Sequence, residues 1–173
     1  MTLKSYVEHK KYKKLAPKQY RVWKSVILEY DQYSYPDDVD MVIKSIQNNL
    51  DIKFCPTKFR EGNLGNPTFG HCYHSNQALY YFFRDANLKA MSAPCDVAGQ
   101  HWWCEDVEGN IIDSTSDQYY SVGAEPPYSQ GKETPWYGWK NRPHRKTQNL
   151  MKLVQPSAKL YSEVYEEKPK KEY

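Results

Sequence analysis

Hydrophobic and polar positions follow several rhythms along this chain, and the rhythm changes near residue 70. Val22, Trp23, Val26, Ile27 and Tyr30 recur at helical spacing and predict a first helix. Pro36-Asp37-Asp38 predicts the start of a second, because carboxylates are favourable in a first turn. Its apolar stripe is Val39, Val42, Ile43, Ile46 and Leu50. Between Asp51 and Gly70 the punctuation of Pro56, Gly62, Gly65, Pro67 and Gly70 predicts loop. A helix then opens at Cys72, carries Ala78, Leu79, Phe82 and Phe83 as a buried stripe, and ends near Asp85-Ala86-Asn87. Leu88 to Ser92 reads as a strand, with a turn at Pro94-Cys95-Asp96 and Gly99. His101 to Asp106 and Asn110 to Asp113 read as a hairpin around Val107-Glu108-Gly109. A last short helix is expected over Thr147 to Val154. The whole predicts an α+β domain, with N-terminal helices and a helix packed on a small antiparallel sheet.

A length of 173 residues is most simply one domain. Residues 1–20 form a basic arm, in which Lys10, Lys11, Lys13, Lys14 and Lys18 stand among tyrosines, and are expected to be solvated. The globular core is expected over 21–155, and a charged, flexible tail over 156–173. Mean hydropathy is -0.90, far from that of a membrane span. A net charge of +3 is too slight to argue for nucleic acid. The start of the chain lacks the apolar run of a secretory signal. Cys55, Cys72, Cys95 and Cys104 are therefore expected to be free thiols in a cytoplasmic protein. The 16 tyrosines and five tryptophans include a Pro- and Gly-rich stretch, Tyr119 to Arg145, whose aromatics argue for an ordered, functional loop.

The chemistry concentrates in Gly70-His71-Cys72-Tyr73, His101-Trp102-Trp103 and Ile111-Ile112-Asp113. Thiolate attack needs a base to take the thiol proton and a third group to orient that base. Cys72 at a helix N-terminus meets unpaired N–H groups that favour an anion and later an oxyanion. His101 is expected to present one ring nitrogen to Cys72 and the other to Asp113. Asp113 has a second reading, capping the turn through Ser114 and Thr115, with Asp117 and Asp96 as substitutes. Substrate contacts are expected from His71, Tyr73, His74, Gln100, Trp102, Trp136 and Trp139, with Asn66 and Gln100 the candidates for a polar oxyanion group.

A helix-borne cysteine, a strand-borne histidine and an aspartate on the next strand resemble the papain-like thiol hydrolases of the transglutaminase-like and NlpC/P60 type. The likeness covers roughly residues 65 to 120, and it extends to small uncharacterised phage and bacterial proteins with similar Gly-His-Cys-Tyr and His-Trp-Trp segments. By that resemblance Cys72 is the nucleophile, His101 the base and Asp113 the orienting acid. A peptide or protein amide, isopeptide or related acyl bond is the implied substrate, and no cofactor is implied. His71 and His74 depart from the family pattern.

Two other classes stay open. One is a binding module, either a phage-encoded inhibitor of a host protein or a single-strand binder. It would use Trp136-Tyr137-Gly138-Trp139-Lys140 with Arg142, His144, Arg145 and Lys146. The other is a zinc-stabilised domain built from His71, Cys72, His74, Cys95, His101 and Cys104, whose spacing lacks the paired Cys-x2-Cys rhythm.

Overall fold

The helix that opens at Cys72 and the hairpin that follows it organise the architecture. A computed structural model describes residues 27–96, 99–136 and 143–160. In order these form β1 (Ile27–Glu29), α1 (Val39–Asn48), α2 (Arg60–Gly65), α3 (Cys72–Phe82), β2 (Lys89–Cys95) and β3 (Gly99–Glu105). They continue with β4 (Ile111–Ile112), α4 (Asp117–Tyr120), β5 (Lys132–Glu133), α5 (Arg145–Val154) and β6 (Lys159–Leu160). The fold is α+β: among the described residues, five α-helices and an antiparallel four-stranded sheet of order β4-β3-β2-β5, with a separate β1–β6 pair.

Register explains the two faces of the sheet. Ala93 lies opposite His101 and Met91 opposite Trp103, so these side chains share one face, and Ser92, Trp102 and Cys104 share the other. Cys104 and Ile112 join the main core with Val42 and Ile46 of α1, Ala78, Leu79 and Phe82 of α3, and Leu150 and Met151 of α5. On the opposite face Met91, Ala93 and Trp103 pack under Tyr128. That cover is close: a Cβ on Gly131 would stand 2.4 Å from the Trp103 ring.

Three expectations change. Ile27–Glu29 is a strand rather than part of a helix, because Ile27 is buried and pairs with Leu160 while its N–H donates to Gln148 Oε1. The 51–70 loop contains α2, and the 119–145 stretch supplies β5, which pairs Glu133 with Met91 and Lys132 with Ser92. The basic arm and most of the charged tail lie outside the described residues. Among the described residues no helix is long and apolar enough to cross a membrane.

Candidate active site

Gly70 sets the entry to α3. Its φ of +78° belongs to the left-handed region, and a Cβ there would lie 2.7 Å from Cys55 Sγ and 2.8 Å from Phe59 Cβ. The chain can therefore turn tightly and deliver Cys72 as the first residue of the helix. Cys72 Sγ lies 3.7 Å from the Gln100 carbonyl oxygen, and one turn later Asn76 Nδ2 donates to the Trp102 carbonyl at 2.7 Å. Both reach the edge of β3 beyond the point where the two-residue β4 stops. Burial pushes the Cys72 thiol up to about 12, outweighing the Trp102 and Tyr73 backbone groups that favour the thiolate. Burial thus favours the neutral thiol and opposes the thiolate that a helix N-terminus alone predicts.

His101 and Asp113 form a pair with Nε2 to Oδ2 at 2.7 Å, their side chains 1% and 2% exposed. The carboxylate accepts further bonds. Tyr128 donates to Oδ2 at 2.8 Å, and Thr115 N, Thr115 Oγ1 and Asn76 Nδ2 converge on Oδ1 at 2.8–2.9 Å. Burial raises the Asp113 carboxyl, but the bond to His101 and these other donors prevail and hold it below its ordinary value. The two roles weighed for Asp113 thus coexist: one oxygen caps the turn through Thr115, and the other meets the imidazole. Asp96 and Asp117 are not the partners of His101.

The other face of the imidazole is as crowded. Trp103 stacks on it at 5.7 Å and the Tyr119 ring meets it edge-on at 4.9 Å. Nδ1 lies 3.2 Å from Gln118 Nε2. The expected bond between Cys72 and His101 is not made in this structure; the sulfur rests against the Gln100 carbonyl and the ring nitrogen against Gln118.

The expected substrate-contact residues fall into separate places. Tyr73, Trp102 and Trp136 form one aromatic cluster beside Cys72, with centroid distances of 5.1–5.3 Å, and His74 continues it to His144 at 4.8 Å. His74 Nδ1 is engaged by Thr147 Oγ1. Gln100 Nε2 donates to Ser92 Oγ, and Asn66 Nδ2 to Asp117 O and Ser121 Oγ, so neither amide is directed at Cys72. His71 is fully buried with both ring nitrogens unpartnered among the described residues, and its electrostatic neighbours are Lys146 and Asp51. Trp139 lies outside the described residues.

The zinc-type ligands are not assembled. Cys104 Sγ donates to Asn76 O and His101 is held by Asp113. Among the described residues no three His, Cys, Asp or Glu side chains group as a metal ion requires. Cys95 lines a cavity of about 730 Å³ with Tyr119, Pro126, Pro127 and Glu125. Asn76, Gln118 and Tyr128 are the residues that sequence reasoning missed. Only Asn76 carried a signal, its position four residues after Cys72 on the same helix face. No model of a protein family matches this chain, and neither does any curated protein or solved structure.

Proposed function

We propose that this chain is a cysteine-dependent hydrolase or acyltransferase acting on a peptide or protein amide, isopeptide or related acyl bond. The observation that carries the reading is the buried His101–Asp113 pair, its carboxylate held by four further donors, next to a cysteine that opens a helix. A carboxylate so fixed selects the tautomer with hydrogen on Nε2 and leaves Nδ1 as the base. The reading also draws on the sequence resemblance to the transglutaminase-like and NlpC/P60-type enzymes, in which helix, strand and next strand supply the three groups in this order.

In the proposed reaction the Cys72 Sγ–H bond breaks, its proton passes to His101 Nδ1, and the sulfur pair attacks the acyl carbon. Collapse of the tetrahedral intermediate expels the amine, which takes the proton from the imidazolium and leaves a thioester. Water or an amine then releases the acyl group. Asp113 stabilises the imidazolium throughout, and backbone N–H groups at the start of α3 face the oxyanion. Tyr73, Trp102 and Trp136 offer an aromatic wall for the substrate. The four cysteines are free thiols, which favours a reducing, cytoplasmic setting.

A second reading is favoured by one observation: the thiol and imidazole are each satisfied by other partners, Gln100 O and Gln118, as in a packing core of a binding module. Iodoacetamide labelling of Cys72 against pH, read by peptide mapping so that the cavity-lining Cys95 is scored apart, separates the two. Catalysis predicts labelling at neutral pH that falls by about 10²-fold in His101→Ala. Labelling that is slow, as for a thiol titrating near 12, and indifferent to the substitution overturns the hydrolase reading.

A further inference from the structure

The His101 ring is gripped from both ends, and the proposed triad accounts for one end only. Nε2 meets Asp113; Nδ1, the nitrogen that must accept the thiol proton, meets Gln118 Nε2 at 3.2 Å. Gln118 is 2% exposed, and its other amide atom, Oε1, is buried with no hydrogen-bond partner among the described residues. Its backbone N–H donates to Thr115 O, while Thr115 N and Oγ1 donate to Asp113. One short turn thus fixes both groups that hold the ring.

An amide NH₂ can only donate, so it suits a bare ring nitrogen; the amide oxygen suits a protonated one. A carboxylate on Nε2 and a donor on Nδ1 together specify a neutral imidazole with its hydrogen on Nε2. We infer that Gln118 is a positioning residue for the His101 base: it keeps Nδ1 unprotonated and aligned, and a half-turn of its amide brings Oε1 to the N–H formed when Cys72 gives up its proton. In that step the S–H bond breaks, the N–H bond forms and the electron pair stays on sulfur. An otherwise unexplained buried oxygen thereby acquires a partner. The other groups facing the ring are Asp113, Tyr119, Tyr128 and Trp103, with Cys72 at the edge of β3. The inference rests on the acyl-transfer reading and adds a residue to it.

The test is long-range ¹H–¹⁵N spectroscopy of the full chain labelled in histidine, with His101 assigned by His101→Gln. The neutral ring is expected as the Nε2–H tautomer, with Nδ1 shifted as a hydrogen-bond acceptor. Gln118→Met, similar in length but without a donor, should move Nδ1 to the position of an unbonded ring nitrogen. Gln118→Glu, an acceptor only, should draw a hydrogen onto Nδ1, seen as an Nδ1–H signal that the wild type lacks. An Nδ1–H tautomer in the wild type, or an Nδ1 signal unmoved in Gln118→Met, overturns the assignment even if Gln118→Glu does not fold. Unmoved ring signals together with His101-dependent labelling of Cys72 overturn the role of Gln118 alone. Responsive ring signals with an inert Cys72 overturn the acyl-transfer reading alone.

Discussion

Asn76 shows how one side chain can decide a site without taking part in its chemistry. Its Nδ2 donates to Trp102 O and Asp113 Oδ1, and its Oδ1 accepts from Ser114 N and Oγ at 2.8 and 2.9 Å. It is fully buried. Asn76→Ala strips partners from a strand carbonyl, a carboxylate and a backbone N–H together, and is expected to cost about 2–4 kcal/mol in chemical denaturation. A loss under 0.5 kcal/mol would show that these groups find other partners. The helix start at Cys72 and the meeting of His101 with Asp113 were legible in the sequence because each residue stands beside its own local signal: a glycine before a helix, aromatics on a strand, a turn after one. Gln118 and Tyr128 were not legible. Each meets the His101–Asp113 pair through the fold of the 113–131 segment, and neither belongs to any local pattern.

At the scale of elements, periodicity named α1, α3, α5 and the β2–β3–β4 order, because the three helices bury apolar stripes against one core with Cys104 and Ile112, while Met91 and Ala93 of β2 pack with Trp103 on the other face of the sheet. It failed where tertiary pairing overrides local spacing. Ile27 fits a helical rhythm as well as an extended one, and its buried partner across β6 decides the matter. The segment carrying β5 has no apolar rhythm, since both strand residues, Lys132 and Glu133, are exposed. What fixes that segment is its seat on Trp103. Gly131→Ala would place a methyl group 2.4 Å from that ring, with Tyr128 O also at 2.9 Å. The substitution is expected to destabilise the protein by about 1–3 kcal/mol. Because Tyr128 bonds to Asp113, His101-dependent labelling of Cys72 should fall with it. Unchanged stability would place the segment elsewhere.

Over the whole molecule, α1, α3 and α5 pack on one face of the sheet and Tyr128 of the 113–131 segment on the other, and histidines are trapped between elements. Burial lowers His71 from 6.5 to about 4 and His74 to about 3, with Lys146 adding to both and His144 repelling His74. A histidine held neutral binds no proton in the fold, whereas the unfolded chain binds one below 6.5. Stability is therefore complete above that pH and is lost as pH falls from 6.5 toward 4 and then 3. His71 alone should contribute about 2 kcal/mol to this loss once solvent screening is allowed for. The thermal midpoint should be level above pH 7 and drop between 6.5 and 4, less steeply in His71→Phe, which also removes two unpartnered nitrogens. A flat midpoint across that range would contradict the burial of these rings. The lowered Asp113 carboxyl acts only at more acid pH, below its ordinary 3.8.

The reach of α3 to the sheet has a consequence for solubility. Strand margins with bare carbonyls invite other chains to add a strand and aggregate. On one side β5 ends the sheet with two exposed, oppositely charged residues. On the other, β4 covers only Cys104 and Glu105, and the length of β3 it leaves open is stoppered by the Cys72 thiol and the Asn76 amide. Any reaction that replaces the hydrogen of the thiol also removes one of those stoppers, so a Cys72 left covalently occupied exposes a short length of template on which a second molecule can grow.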